Sequence, residues 1–441
     1  MAWRVVILGG GFGGLSAART LERVLPPHAA KVTLVNDVNF MLYTPLLPGA
    51  AGGTLEPRHV VVPLREELAS TELFLGEVLG ADPAERRVRV RTIEGRENEL
   101  VYDQLIVALG STSRALPIPG LAEHGRGFKT LAEAIALRNH LIQTLERAET
   151  VDDEETRHAL LTYVVVGAGY AGVEGLAELE DFAADVVDMY PRSRIHGLRF
   201  MLVEARERIM MEISPSLAEF AESELRRRGI EIRTNTTLER VSPDSIELST
   251  GEVVPTRTVA WTAGVRPHPV VAELGLPLDG SGRVRADRYC RVEGFDNVWA
   301  IGDAAAVPDP ARSGQPSPPT AQHVLRQAKI AARNVAAALG RGRRRPFRYR
   351  TLGVFVDMGR HQAVAETLGI RWRGFPAWFL ARTYHLAQMP GTKRKARLVT
   401  DWTTGLFFGR DSAELGELGH PRPLEGRSAG GTGERVAGGQ A

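Results

Sequence analysis

The glycine-rich phrase RVVILGGGFGGLSAARTLE at residues 4–22 returns in nearly the same form as YVVVGAGYAGVEGLAELE at residues 163–180. Each phrase is an apolar run, then a cluster of glycines, then an alanine-rich segment. The apolar run predicts a buried strand, and the alanine-rich segment predicts a helix. The repeat therefore predicts two strand–turn–helix units of one plan, and this constrains the fold more than any other feature of the chain.

The glycines of both phrases share the spacing G-x-G-x-x-G, at Gly9, Gly11 and Gly14 and again at Gly167, Gly169 and Gly172. The first glycine permits a tight turn, the second lets a diphosphate approach the backbone, and the third lets the helix pack against the strand. The diphosphate is then held by free N–H groups at the positive end of the helix. Two such units predict two dinucleotides, and we expect a flavin and a nicotinamide dinucleotide held face to face for hydride transfer.

The residue at the end of the second strand of each unit is expected to bind a ribose. In the second unit this residue is Glu204, which lies 32 residues after Gly172. A carboxylate accepts a hydrogen bond from a 2′-hydroxyl and repels a 2′-phosphate, so it favours NADH over NADPH. In the first unit the place is taken by Asn36, followed by Asp37. An amide can also bind a hydroxyl, and either residue could contact the ribose.

The order of the motifs predicts an α/β chain of two Rossmann-like dinucleotide-binding domains, the second inserted in the first, with a small C-terminal module. We expect an FAD-binding domain at 1–115 and 285–340, an NADH-binding domain at 116–284, a basic and aromatic module at 346–420, and a disordered glycine-rich tail at 421–441.

Cysteine and charge content restrict the chemistry. The only cysteine among 441 residues is Cys290, which excludes an internal disulfide and dithiol chemistry within one chain. We expect no metal site, because no Cys/His cluster has ligand spacing. We also expect neither a signal peptide nor a membrane-spanning helix, since no run of 18 apolar residues occurs.

The net charge of +2 conceals a strong asymmetry. Residues 341–410 hold 15 Lys/Arg against 3 Asp/Glu, a charge of +12, and the remainder holds 40 against 50, a charge of −10. Within the basic part, residues 374–397 combine aromatic and cationic side chains, which predicts a segment lying on a membrane surface. Alternatively the aromatic residues pack inward and the charges are only solvated. Nucleic-acid binding is not expected, because no helix-turn-helix, zinc or RNP pattern accompanies the charge.

With these motifs established, the chain resembles the two-dinucleotide-binding-domain flavoproteins, and among them the type II NADH dehydrogenases. The markers are, in chain order, GGGFGG, LYTPLLP, LIVALGS, VVVGAGYAGVE, WTAGVRP, VWAIGDAA and PPTAQHVLRQ. The resemblance covers roughly residues 4–410. It implies FAD, bound without a covalent link, and NADH as the cofactors.

The resemblance also implies site residues. Those expected to contact FAD are Gly9, Gly11, Gly13, Gly14, Asn36, Thr44, Pro45, Ala108, Gly110, Gly302, Asp303 and Ala321. Those expected to contact NADH are Gly167, Gly169, Gly172, Glu204 and Gly264. It places Glu174 near the nicotinamide, and Gln322 and Gln327 near the flavin and quinone, as catalytic residues.

The function implied is a non-proton-pumping NADH:quinone oxidoreductase, with menaquinone or ubiquinone as substrate. We expect it at the cytoplasmic face of the cell membrane, as a peripheral protein and as a homodimer. One cysteine argues against disulfide reductases and sulfide:quinone reductases. Two alternatives stay open: a soluble NADH-dependent reductase of a protein electron carrier, and a slow flavoprotein that binds NADH in a sensing or partner-binding role.

Overall fold

The computed structural model describes residues 2–349 and 353–414. The tail predicted as disordered, 421–441, and the last residues of the module predicted at 346–420 lie outside the described residues.

The strands have the following bounds: β1 Trp3–Leu8, β2 Ala30–Asn36, β3 Phe40–Leu42, β4 Val61–Pro63, β5 Glu72–Asp82, β6 Arg87–Thr92, β7 Glu97–Val101, β8 Gln104–Val107, β9 Ser111–Ser113, β10 Arg126–Gly127, β11 Thr162–Val166, β12 Arg199–Val203, β13 Glu231–Arg233, β14 Leu238–Val241, β15 Ser245–Leu248, β16 Val253–Pro255, β17 Thr258–Trp261, β18 Val265–Pro267, β19 Val284–Arg285, β20 Val298–Ala300, β21 Ala305–Ala306, β22 Gly353–Asp357, β23 Ala363–Thr367 and β24 Ile370–Arg373.

The α-helices have the following bounds: α1 Phe12–Val24, α2 Leu47–Ala51, α3 Leu64–Glu67, α4 Leu121–His124, α5 Leu131–Thr150, α6 Glu154–Leu160, α7 Tyr170–Val186, α8 Pro191–His196, α9 Pro215–Arg227, α10 Ala321–Ala338, α11 Gly374–Gln388 and α12 Thr392–Thr404. Short 3₁₀ helices lie at Thr44–Leu46, Pro57–His59, Val187–Met189, Pro269–Leu274, Gly302–Ala304 and Pro310–Arg312.

The first sheet has the order β20-β8-β1-β2-β5-β6-β7. Its strands β20, β8, β1, β2 and β5 pair in parallel, and β5, β6 and β7 continue as an antiparallel meander. The four residues of β8 are all buried. Strands with both faces covered read as continuous apolar runs, which explains why "LIVAL" carries no alternation of polar and apolar residues.

The second sheet repeats the plan with the order β10-β17-β11-β12-β13, and its pairs are all parallel. Its meander, β14-β15-β16, forms a separate antiparallel sheet. In both sheets the strand before the glycine turn is central: β1 lies between β2 and β8, and β11 lies between β12 and β17. The glycine turn at the end of that strand leads into a long helix, α1 after β1 and α7 after β11.

The connections between the sheets pair with each other. The chain leaves the first sheet after β8 and returns to it with β20, and the strands of the second sheet lie between these points. The outgoing segment β9 pairs antiparallel with the returning segment β18. This order is consistent with an insertion, although the predicted domain bounds themselves remain a prediction.

The C-terminal residues form an antiparallel sheet β22-β23-β24 followed by α11 and α12. The sequence indicated a helix-like segment at 374–389, where α11 is found, but it gave no reason to expect α12 at the basic run that follows. Trp378 on α11 and Met389 just after it are buried, whereas Phe375 and Phe379 on α11 are 57% and 61% exposed. Inward packing therefore holds for some aromatic residues of this segment, and the membrane contact of the exposed ones stays a prediction.

Ion pairs with buried carboxylates of α7 hold this C-terminal part against that helix. Arg410 Nη2 lies 2.7 Å from Asp181 Oδ2, and Arg360 Nη2 lies 2.8 Å from Glu180 Oε1. Burial alone would raise the pKa of Asp181, but Arg410 and the Arg360 N–H outweigh it, and the pKa is lowered. Part of the basic charge seen in the sequence thus serves internal contacts with an acidic helix rather than an external partner.

No helix in the described part of the chain is both long and apolar enough to cross a bilayer.

The tightest backbone approach in the first glycine turn yields a stability prediction. A Cβ on Gly14 would lie 1.7 Å from the Gly9 carbonyl oxygen. We expect Gly14→Ala to lower the free energy of unfolding by about 2 kcal/mol or more, because the helix must move away from the strand. Chemical denaturation of the FAD-free protein measures this change. Gly280→Ala, where a Cβ meets open space, is the control, and equal stability of the two variants would contradict the argument.

Candidate active site: two glycine cradles and the cleft between them

The first glycine turn joins β1 to α1. Gly9 has a positive φ of 96°, and a Cβ there would lie 2.4 Å from the Ala108 carbonyl oxygen. At Gly11, by contrast, a Cβ would meet nothing within 4 Å. No side chain caps the start of α1, although the first N–H groups of a helix need acceptors. The turn is therefore closed on its inner side and open at Gly11, as the binding of a diphosphate requires.

The second glycine turn, between β11 and α7, has the same geometry. Gly167 has a positive φ of 103°, and a Cβ on Gly172 would lie 1.8 Å from the Gly167 carbonyl oxygen. Gly169 again faces open space, and the start of α7 has no side-chain cap. Both turns fit a dinucleotide by the same physical test: the glycine that should face the diphosphate is the one with room beside it.

The residues at the ends of the second strands bind the turns directly. Asn36 Oδ1 accepts a hydrogen bond of 2.6 Å from the Gly10 N–H. Glu204 Oε2 accepts one of 2.7 Å from the Ala168 N–H, and Glu204 Oε1 accepts one of 3.0 Å from the Arg206 N–H. The structure therefore brings Asn36 to the first turn, while Asp37 is exposed beside it. The equivalence of Asn36 and Glu204 supports the predicted ribose-binding place in both units.

The turn Gly302–Asp303 follows β20 and lies beside the start of α10. Gly302 has a positive φ of 73°, and its N–H donates a 2.8 Å hydrogen bond to Gln327 Oε1. Gln327 is 1% exposed, so its position favours holding this turn over touching a substrate. Gly13 lies against the same region, since a Cβ on it would be 3.1 Å from Val324.

A chain of polar groups extends from this turn to the second sheet. Ser111 Oγ donates to Asp303 Oδ2 at 2.6 Å, and Lys129 Nζ donates to Ser111 Oγ at 2.6 Å. Burial lowers the pKa of Lys129, and the charges of Asp303 and Glu133 oppose that shift. The sequence interpretation missed Lys129, because a lone lysine before a helix carries no pattern. Through Ser111, Lys129 places a cation near Asp303, at the position predicted to bind the ribityl chain.

The other predicted residues lie around these turns. Ala108 directly follows β8, and Gly110 and Gly264 have positive φ angles of 68° and 91° at the paired connections. Ala321 begins α10. Gln322 Nε2 donates a 2.8 Å hydrogen bond to the Gly353 carbonyl oxygen, so it links α10 to the C-terminal sheet.

A cleft opens between the segment after β3, helix α7 and the C-terminal module. Pro45, predicted beside the flavin, and Glu174, predicted beside the nicotinamide, both line it. Thr44, next to Pro45, is exposed. The remaining lining residues are Leu46, Pro48, Gly49, Thr54, Leu55, Glu178, Asp357, Ala381, Arg382, His385 and Trp402. Residues predicted for the two cofactors from distant parts of the sequence thus meet in one place.

Three carboxyl groups crowd the floor of this cleft. Glu174 Oε1 accepts a 3.0 Å hydrogen bond from the Asp357 N–H. Burial raises the pKa of Glu174 well above its usual range, and Asp357 and Glu178 add to the shift. Burial, together with Glu178, raises the pKa of Asp357 to about 7. Burial therefore favours the protonated forms of Glu174 and Asp357 more than it would for surface carboxyl groups.

The wall of the cleft opposite these acids comes from α11. Arg382 lies over the rings of Trp378 and Trp402, with its Cζ 4.2 and 5.0 Å from the ring centroids, and its Nε is 4.0 Å from Asp357 Oδ2. Burial lowers the pKa of His385 to about 4, so this ring is neutral at physiological pH. Asp357, Arg382 and His385 were not among the predicted residues, since they lie where the sequence gave only a basic, aromatic pattern.

Among the described residues, no group of three or more His, Cys, Asp or Glu side chains is placed to hold a metal ion.

The described geometry agrees with what the chain is similar to. A family model described as pyridine nucleotide-disulphide oxidoreductase matches residues 3–333. The type II NADH:quinone oxidoreductase Ndh of Mycobacterium tuberculosis is 30% identical over 422 residues, covering 92% of this chain and 89% of that protein. The demethylphylloquinone reductase NdbB of Synechocystis is 31% identical over 412 residues, covering 91% of this chain and 96% of that protein. The chain belongs to the pyridine nucleotide-disulphide oxidoreductase family and, within it, to the type II NADH dehydrogenases.

A solved structure of such a dehydrogenase has the same fold. NDH2 of Plasmodium falciparum in complex with NADH superposes with a TM-score of 0.85 at 18% identity, covering 94% of this chain and 100% of that chain. The predicted fold of two dinucleotide-binding domains is confirmed. The predicted enzyme class, NADH:quinone oxidoreductase with FAD and NADH as cofactors, is confirmed at the level of this type II NADH dehydrogenase family.

The open space at the second glycine of each turn predicts separable effects on the two cofactors. We expect Gly11→Ala to weaken FAD retention at least about tenfold, equivalent to about 1.4 kcal/mol, because a methyl group enters the diphosphate space. Gly169→Ala should retain FAD and lose a similar factor in NADH affinity. Flavin absorbance after gel filtration and titration with NAD⁺ measure the two effects.

Each variant is the control for the other. If Gly11→Ala and Gly169→Ala both lost FAD to the same extent, or neither changed any binding, the assignment of the two cradles would be wrong.

Proposed function

We propose that this type II NADH dehydrogenase passes electrons from NADH to menaquinone or ubiquinone at the cleft lined by Pro45 and Glu174. The observation that carries the proposal is that Pro45, predicted beside the flavin, and Glu174, predicted beside the nicotinamide, line one cleft. This cleft lies beside a C-terminal module with exposed aromatic side chains. Bound FAD would supply the chemistry that takes up a hydride from NADH and passes two electrons on to a quinone. The protein supplies binding, orientation and protons.

The binding roles follow from the two cradles. The first turn, with Gly9, Gly11 and Gly14, would hold the FAD diphosphate, with Asn36 beside the ribose and Asp303 beside the ribityl chain. The second turn would hold NADH, and Glu204 would favour it over NADPH. Glu204 is held in place by two backbone N–H groups, so its carboxylate is fixed rather than swinging in solvent. The predicted domain bounds, 1–115 with 285–340 and 116–284, belong to this proposal.

The acid cluster would supply protons for quinone reduction. A general acid works best when its pKa lies near the operating pH. Asp357, whose pKa is raised by burial to about 7, meets that condition, and burial also raises the pKa of Glu174 well above its usual range. Glu174 would deliver a proton at its carboxyl group, and Asp357 would hold Glu174 in position through its N–H. Gln322 and Gln327 would act by positioning the flavin side of the site.

The membrane contact we propose extends beyond the predicted segment 374–397. Besides Phe375 and Phe379 on α11, the residues after α12 expose Leu406, Phe407 and Phe408, at 58%, 77% and 70%. Consecutive exposed aromatic residues next to basic side chains suit the interface of an anionic bilayer. Location at the cytoplasmic face of the cell membrane and assembly as a homodimer remain proposals of the same kind.

An anaerobic titration tests the function. NADH added to the FAD-loaded protein should bleach the flavin absorbance near-stoichiometrically, and a soluble quinone should restore it. A protein electron carrier such as a ferredoxin should not restore it at a comparable rate. A carrier that reoxidised the flavin faster than quinone would favour the soluble reductase. Flavin that stayed oxidised under excess NADH would favour the sensing role.

The exposed aromatic residues after α12 give a separate prediction. We expect the double variant Phe407→Ser/Phe408→Ser to lose most of its binding to sedimented vesicles, while it keeps NADH oxidation with a soluble quinone. The control is Ile93→Ser/Val253→Ser, which also removes two exposed apolar side chains, 73% and 62% exposed, from other surfaces. Equal vesicle binding by both double variants would rule out this contact.

A further inference from the structure

A second cavity of about 360 Å³ lies between α1, α10 and the end of α11. It is distinct from the cleft at Pro45 and Glu174, with which it shares no lining residue. Its floor is apolar, with Leu15, Met41 and Tyr43 all buried, and the Phe12 ring packs edge-on against Tyr43 with centroids 5.4 Å apart. Nothing in the proposed electron transfer uses this cavity.

The rim of the cavity is strongly cationic. Arg19, Arg23, Arg326 and Lys329 line it. Arg19 is paired with Glu67 at 2.8 Å. Within residues 2–349 and 353–414, no carboxylate forms an ion pair with Arg23, Arg326 or Lys329.

The three unpaired cations lie near one another, and no carboxylate of the described residues lies between them to balance their charge. Burial lowers the pKa of Lys329, and its charged neighbours Arg326, Arg23 and Arg333 all lower it further. Arg23 Nε donates to the Arg19 carbonyl oxygen at 2.8 Å, and the Arg326 guanidinium stacks over the Tyr349 ring at 4.6 Å. These contacts fix the positions of the cations, but they neutralise no charge. The rim therefore offers an external anion three cations that no carboxylate of the described residues neutralises.

The place of the cavity restricts what that anion can be. Gln388 and Pro390, at the end of α11, form part of the wall, and α11 carries the exposed Phe375 and Phe379. An occupant must therefore combine an anionic head for the rim with an apolar part for the floor. An anionic phospholipid meets both conditions.

We propose that this cavity binds one anionic phospholipid, with its phosphodiester between Arg23, Arg326 and Lys329 and the start of its acyl chains against Phe12 and Leu15. The inference rests on the proposed membrane association. The proposed lipid site would add specific recognition of a headgroup to a membrane contact that otherwise depends on exposed aromatic residues alone. The site would bind saturably, with one lipid per chain, unlike a diffuse basic surface.

The test uses the FAD-loaded full chain and short-chain phospholipids below their micelle concentration. Titration calorimetry with dihexanoyl phosphatidylglycerol should give one saturable site, and the matching phosphatidylcholine should bind much more weakly. In Arg23→Gln/Lys329→Gln the affinity for phosphatidylglycerol should fall about 25-fold, since each cation contributes roughly fivefold. The control Arg341→Gln/Arg343→Gln removes two exposed cations elsewhere and should bind as the wild type does.

Several results would overturn the proposal. Unchanged phosphatidylglycerol affinity in Arg23→Gln/Lys329→Gln would exclude this cavity, and equal loss in the control pair would indicate a diffuse charge effect. Inorganic phosphate that bound as tightly as the lipid would indicate a site for a free anion. Because neither substituted residue lines the Pro45–Glu174 cleft, soluble-quinone turnover in the same variants reports separately on the proposed function.

Discussion

The close contact between a helix and the strand before it is the constraint on which the rest of this structure depends. At Gly14 and at Gly172 no side-chain atom fits, because the carbonyl oxygens of Gly9 and Gly167 occupy that space. The contact draws each helix start to the end of its strand and leaves the neighbouring glycine, Gly11 or Gly169, facing an open space. Uncapped N–H groups and a free volume are thereby placed together, and an anionic diphosphate satisfies both.

The chain contains this strand–turn–helix contact twice, and segments that belong to the two copies meet. The connections β9 and β18 pair with each other, and the segment after β3 comes to lie against α7. Pro45 and Glu174 then line the same cleft, although 129 residues separate them in the sequence. The C-terminal module forms one wall of that cleft with Asp357, Arg382 and His385. It is held against α7 by ion pairs of Arg360 and Arg410 with the buried carboxylates of Glu180 and Asp181.

The parts of the fold that were predictable from sequence are those with a local pattern. The glycine spacing and the apolar runs act through neighbours in the chain. The strand-end residues Asn36 and Glu204 contact the glycine turn of their own strand–turn–helix–strand unit, so their structural places could also be anticipated. Lys129, Asp357 and Arg382 could not, because each matters only through partners that the fold brings from far away. Gln327 illustrates the converse: its place on α10 was anticipated, but only the structure reveals that its amide holds the Gly302 turn. The exposed Phe407 and Phe408 lacked any periodic pattern that would have marked them.

The central claim is that the two cradles bring both redox rings together in the cleft between Pro45 and Glu174. A crystal structure of the protein with FAD and NAD⁺ bound tests it most directly. The account predicts that the nicotinamide C4 atom lies roughly 3–3.5 Å from the flavin N5 atom, with Glu174 beside the nicotinamide and Pro45 beside the flavin. A nicotinamide ring bound outside this cleft, or protein atoms lying between the two rings, would contradict it.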